Sequence, residues 1–134
     1  MKGMVIRMKL LIVDDSSVTR KVIKAAAEVL QLETEEAQDG IEALEKLELL
    51  YKEIDLVLLD WNMPEMSGYD VLVVIKNSPL YKHIPVMMVT TEGQQSSIVA
   101  AVRAGADNYL VKPFTVEELE SKIIECIGEG GDIL

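Results

Sequence analysis

Four short apolar runs and one charged run of similar length alternate with longer segments of helical spacing, and this alternation leaves few folds open. The runs are KLLIV (Lys9–Val13), ETEEA (Glu33–Ala37), DLVLL (Asp55–Leu59), IPVMMV (Ile84–Val89) and NYLV (Asn108–Val111). Between the first two, Val18, Val22, Ile23, Ala26, Ala27 and Leu30 recur at helical spacing and predict a helix over Ser17–Leu30. Asp39, three residues before Glu42, is a capping-box pattern opening a helix that ends at Leu50. Further helices are expected over Ser67–Asn77 and over Gln94–Ala104, the latter closed by Gly105. Thr115 and Glu118 repeat the capping box before a last helix, which turns Leu119, Ile123 and Ile127 inward. Strand–helix alternation of this length implies an α/β fold with a doubly wound parallel sheet and helices on both faces. Unbroken apolar runs suit parallel strands covered on both sides. ETEEA, with its carboxylates, suits an edge, where charge discourages pairing with other chains.

At 134 residues the chain forms one domain. No apolar run approaches the roughly 18 residues of a membrane helix, and MKGMVIRMKLLIVDD lacks the pattern of a cleaved signal. Cys126, the single cysteine, cannot form an internal disulfide and reads as a core residue on a helix face. A cytoplasmic protein is the expectation. The net charge of −10 argues against nucleic acid as a partner. It is compatible with a cation site or a basic partner, although glutamates on solvated helix faces give the same number.

The ends of the runs carry the chemistry. KLLIV leads into Asp14-Asp15, DLVLL into Asp60, IPVMMV into Thr90-Thr91 and NYLV into Lys112. In a parallel sheet all strand C-termini share one edge, the edge where open α/β sheets bind ligands. Any one of these residues alone reads as a helix cap or an exposed strand end. Together they crowd three carboxylates, a hydroxyl and an ammonium onto one rim. Three carboxylates in one place repel unless a cation neutralises them, and an all-oxygen set without His or Cys suits Mg²⁺. His83 lies before a strand and off the rim, as an ordinary surface residue. Aspartate can attack phosphorus, and phosphoryl transfer asks for charge neutralisation and positioning, which a metal and a lysine supply.

These residues resemble the receiver domains of two-component response regulators. The resemblance is carried by VDDSS, LLDWNMPEMSG, MMVTTEG and NYLVKPFT, in order, across residues 8–128. DWNMP, and Glu92 two residues after Thr90, are most similar to the single-domain chemotaxis regulators. The resemblance implies a flavodoxin-like (βα)5 fold with strand order 2-1-3-4-5. It implies Asp60 as phosphoacceptor, with Mg²⁺ held by Asp15, Asp60 and the Asn62 carbonyl, and by Asp14 through water. Lys112 would pair with a carboxylate at rest and with the phosphoryl group once it is attached. Thr90 would be the switch hydroxyl, and Tyr109 the ring that swings inward when Thr90 moves. The amides of Trp61 and Thr91 would complete a phosphate cradle, and the Lys112–Pro113 peptide would be cis.

The side chains of Asn62 and Glu92 stand where the family tunes dephosphorylation, and their identities imply a short-lived phosphoryl group. Position 91 is often alanine or glycine in this family, so Thr91 is expected to crowd the pocket mouth. The output face implied for Ile98, Tyr109, Val111, Phe114 and Lys122 is the surface of helix 4, strand 5 and helix 5, with edge-strand filling the plainer reading of Tyr109 and Val111. The implied partners are a histidine kinase, a downstream protein target such as a flagellar motor switch, and a phosphatase, met by a monomer. Residues 1–7 precede the usual start as an extension, and 129–134 form a flexible tail. Other readings are a phosphorelay intermediate or phosphate sink outside motility, and a Mg²⁺-dependent aspartyl-phosphate phosphohydrolase. The last would want a DxD motif after strand one and a cap domain for its substrate. A nucleotide or flavin module would want a glycine-rich turn where VDDSS stands.

Overall fold

A computed structural model describes residues 7–131; residues 1–6 of the expected extension and 132–134 of the expected tail lie outside the described residues. The elements are β1 (Lys9–Val13), α1 (Ser17–Val29), β2 (Glu33–Ala37), α2 (Gly40–Leu50), β3 (Ile54–Leu59), α3 (Gly68–Asn77), β4 (Val86–Thr90), α4 (Gln95–Arg103), β5 (Asn108–Val111) and α5 (Val116–Gly131). The strands are parallel and ordered β2-β1-β3-β4-β5, so the expected topology holds.

Alternation along each central strand divides the core in two. Leu11 and Val13, Val57 and Leu59, and Val86 and Met88 face α2, α3 and α4, against Leu47, Leu72 and Ile75. Leu10 and Ile12, Leu56 and Leu58, and Met87 and Val89 face α1 and α5, against Ile23, Leu119 and Ile123. Each fully buried Leu or Ile contributes about 2 kcal/mol of transfer free energy, so unbroken apolar strands stabilise both layers at once. β2 forms an edge, where Glu35 and Glu36 reach Lys46 and Arg20. Val18 and Val22 share the helical spacing of α1 yet stay exposed; Ile23, Ala26 and Ala27 fill the core. Cys126 and Ile127 are partly buried against the α1 and α5 layer, and His83 is exposed.

Element ends follow their hydrogen bonds. Ser16, Asp39 and Ser67 cap α1, α2 and α3 by accepting from the main-chain N–H three residues on. Thr115 and Glu118 form the full reciprocal box. Glu42 returns its bond to the Gln38 N–H, one residue earlier than the box pattern expects. α4 closes with Gly105 at φ +110°, its N–H donating to Val102 O while Ala106 N–H donates to Ala101 O. Gln31 closes α1 in the same way at φ 62°. β4 starts at Val86 instead of Ile84. Pro85 has no N–H for the ladder, and Ile84 instead buries its side chain in the core. α5 runs to Gly131, past the expected start of the tail at 129.

Candidate functional site

The sheet's own ladder sets the rim. Asp14 N–H donates to Ala37 O of β2, Asp60 N–H to Val13 O of β1, and Lys112 N–H to Thr90 O of β4. Each residue is thus the last rung on its strand, its backbone fixed by a neighbour and its side chain released at the edge. Carboxylate oxygens of Asp14, Asp15 and Asp60 lie within 4.8 Å of one another. Asp14 and Asp60 are buried, as is the Thr90 hydroxyl, whereas Asp15 is exposed.

Lys112 Nζ lies 2.8 Å from Asp14 Oδ2 and 3.7 Å from Asp60 Oδ2. The other Asp14 oxygen accepts from Ser16 N–H at 2.9 Å, so both its oxygens are already engaged. Burial pushes the Asp60 carboxyl above its ordinary pKa; Lys112 opposes this, Asp14 adds to it, and hydrogen bonds from Thr90 and the Asn62 N–H oppose it. One ammonium among three carboxylates leaves an excess of negative charge. That excess, with oxygen as the only donor type, fits a hard divalent cation, Mg²⁺ best. Asp15 has no ion pair among the described residues, and Asp60 is held more loosely than Asp14, with the Asn62 N–H at 3.4 Å and Lys112 at 3.7 Å. These two are the carboxylates best placed to take it.

The loop after β3 brings the main chain close to the site. At Gly68 a Cβ would sit 1.8 Å from the Asp60 carbonyl oxygen, and the Gly68 N–H donates to Trp61 O at 2.8 Å. Only glycine allows that approach. Within the loop Glu65 adopts φ +68° in a three-residue turn closed by Met66 N–H on Pro64 O. Trp61 is half-buried and stacks on Tyr69 at 5.2 Å. Asn62 is exposed and its amide reaches Glu92 Oε2 at 3.4 Å.

A second set of contacts leads away from the rim. Glu92 N–H donates to Thr90 Oγ1 at 3.2 Å, the Glu92 carboxylate takes a hydrogen bond from Ser97 at 3.4 Å, and the Tyr109 hydroxyl donates to Glu92 O at 2.6 Å. The Tyr109 ring lies half-buried against the α2, α3 and α4 core layer. Burial pushes its hydroxyl pKa up, with the charges of Glu92 and Asp60 adding to the rise. Thr91 is exposed, and the Lys112–Pro113 peptide is cis.

Of the residues expected on the output face, Ile98 is half-buried on α4, Val111 on β5 packs beside Gly93, and Lys122 is half-buried on α5. Phe114 is placed elsewhere. It borders Val18, Thr19 and Val22 of α1 and packs on the α1 and α5 layer. β5 ends at Val111, so Phe114 lies past the strand in the connection to α5. Three contacts escaped the sequence reading: Ser16 on Asp14, Ser97 on Glu92, and Arg20, whose Nη1 donates to the Asp14 carbonyl at 2.7 Å. Ser16 had a usable signal as a cap residue before a helix; the other two had none.

The chain is similar to known proteins over most of its length. The family model described as response regulator receiver domain matches residues 10–124. The chemotaxis protein CheY1 of Helicobacter pylori is 43% identical over 122 residues, covering 90% of this chain and 98% of that protein. The chemotaxis protein CheY of Pseudomonas aeruginosa is 44% identical over 117 residues, 87% of this chain and 93% of that one. Among solved structures, chemotaxis response regulator CheY4 of Vibrio cholerae superposes with a TM-score of 0.83 at 32% identity, covering 90% and 98% of the two chains. This chain belongs to the receiver domains of response regulators, a family of phosphorylation-dependent signalling switches. Receiver domains take phosphoryl groups from histidine kinases, bind Mg²⁺ at an acidic pocket and act on downstream targets. Among the described residues no helix is long and apolar enough to cross a membrane.

Proposed function

We propose that this protein works as a receiver-domain switch, the domain spanning residues 8–128, in which Asp60 accepts a phosphoryl group from a histidine kinase in a Mg²⁺-dependent step. The observation that carries this reading is the meeting of a buried Asp60 carboxylate with Lys112 at 3.7 Å, a Thr90 hydroxyl and two further aspartates at one sheet edge. Asp15, Asp60 and the Asn62 carbonyl would hold Mg²⁺, with Asp14, engaged at both oxygens, acting through water. When bound, Mg²⁺ neutralises charge on the transferred phosphoryl oxygens.

An Asp60 oxygen forms the new P–O bond as the P–N bond to the donor imidazole breaks, and that nitrogen keeps the electron pair and takes a proton. Lys112 then turns from Asp14 and Asp60 to a phosphoryl oxygen, and Thr90 donates its hydroxyl to another. The amides of Trp61 and Thr91 complete the cradle, while Asn62, Glu92 and Thr91 at the mouth set access for water and small donors. Because Glu92 touches both Thr90 and Tyr109, movement of Thr90 reaches the surface made by Ile98, Tyr109, Val111 and Lys122.

A role in chemotaxis, through a target of the flagellar motor-switch kind and with a phosphatase to reset it, is supported by the likeness to CheY1 along 98% of its length. We place the switch in the cytoplasm as a monomer. Trp61 next to Asp60 gives the test. Its fluorescence is expected to change on adding Mg²⁺ and again on adding beryllofluoride, a phosphoryl mimic. A spectrum unmoved by either ligand overturns the reading.

A further inference from the structure

Arg20 makes two short contacts that solvent exposure does not explain. Its Nη1 donates to the Asp14 carbonyl oxygen at 2.7 Å and its Nε donates to Glu36 Oε1 at 2.9 Å. The side chain is 16% exposed, so it is held along α1 and is not waving from it. Glu36 belongs to edge strand β2, next to Ala37, whose carbonyl accepts the Asp14 N–H at 3.1 Å. The peptide units on either side of Asp14 are therefore gripped by adjacent residues of one strand. Ala37 holds the N–H directly, and Glu36 holds the carbonyl through Arg20.

The Asp14 carbonyl belongs to the peptide that leads into Asp15. The Asp15 side chain has no hydrogen bond or ion pair among the described residues, so only its backbone aims it at the cluster. We propose that Arg20 is a positioning residue for the metal site: by fixing the Asp14–Asp15 peptide against β2 it orients the Asp15 carboxylate. This inference rests on the Mg²⁺ site proposed above. Partners behind a metal ligand commonly control affinity by about 10- to 100-fold. Lysine cannot substitute, because one ammonium on a flexible stem does not span two acceptors as a planar guanidinium does.

Electrostatics alone gives the opposite sign, and that makes the idea testable. A guanidinium beside an acidic cluster repels Mg²⁺, so a bystander Arg20 would weaken binding, and its removal would tighten it. The experiment is a Mg²⁺ titration followed by Trp61 fluorescence, with full-length wild type, Arg20→Ala, Arg20→Lys and Glu36→Gln. The expected result is a Mg²⁺ dissociation constant raised about tenfold in Arg20→Ala and several-fold in Arg20→Lys and Glu36→Gln, with far-UV circular dichroism unchanged. An unchanged or lowered constant in Arg20→Ala overturns the inference. If Arg20→Ala does not fold, wild-type affinity in Arg20→Lys and Glu36→Gln overturns it instead. Wild type that does not bind Mg²⁺ at all sinks the metal site itself along with this role, whereas wild type that binds and variants that match it sink the role of Arg20 alone.

Discussion

The Tyr109 hydroxyl donates to the main-chain carbonyl of Glu92 at 2.6 Å, which ties a half-buried ring on β5 to the loop that follows Thr90. Burial and the nearby carboxylates of Glu92 and Asp60 raise its pKa above the ordinary 10.0. Tyr109 is therefore expected to give a late component, above that value, in an ultraviolet titration. Tyr109→Phe should remove that late component and cost about 1 kcal/mol through the lost hydrogen bond. A late component that survives in Tyr109→Phe assigns it to another ring.

Asp60 holds its proton to a higher pH in the folded chain than in the unfolded one, because burial disfavours its charge. Its contribution to stability is present at low pH and lost as pH rises from the ordinary 3.8 through the raised folded value. In chelator at neutral pH, Asp60→Asn is expected to melt a few degrees above wild type. The gap should close as pH is lowered towards 3.8. Differential scanning calorimetry checks it, and an Asn variant that melts below wild type at neutral pH contradicts the assigned burial cost.

Lys112 neutralises Asp14, which is 2% exposed. Lys112→Ala leaves that carboxylate buried without its cation, and should cost about 2–3 kcal/mol in metal-free urea melts, discounted for the partial exposure of Lys112. Saturating Mg²⁺ is expected to restore part of the loss, since it binds the folded state and supplies the missing positive charge. A loss that Mg²⁺ leaves untouched argues against a cation site beside Asp14.

Gly68 leaves no room for a side chain: an added Cβ would lie 1.8 Å from the Asp60 carbonyl. Gly68→Ala must displace backbone, not a flexible side-chain end. We expect a loss of at least about 3 kcal/mol by denaturant titration, or failure to fold. An alanine variant of wild-type stability would show that this loop is misplaced.

Much of this was legible in the sequence, for reasons visible in particular residues. The unbroken LVLL and VMMV runs announce strands covered on both faces, and the residues ending those runs fall on the rim because parallel strands end together. The capping residues Asp39 and Thr115 are chemically marked. What stayed hidden runs through the backbone. Arg20 meets a carbonyl, an atom every residue has, so its contact leaves no trace in the letters. Glu65 and Gln31 take left-handed conformations that glycine would have flagged and their own side chains do not. Phe114, in the connection between β5 and α5, lies beside Val18, Thr19 and Val22 of α1, a placement that spacing along the chain cannot give.

The central claim is that Asp60 is the phosphoacceptor, and direct labelling tests it most closely. Wild type and Asp60→Asn are incubated in Mg²⁺ with a histidine kinase carrying radiolabelled phosphate to measure incorporation. In a parallel sample the acyl phosphate is reduced with borohydride, which releases the phosphate and leaves homoserine at the modified position for peptide mapping. The expected result is label on wild type, with homoserine at position 60, and no label on the variant. Label of equal stoichiometry on Asp60→Asn, or homoserine mapped to another position of the wild type, would contradict the account.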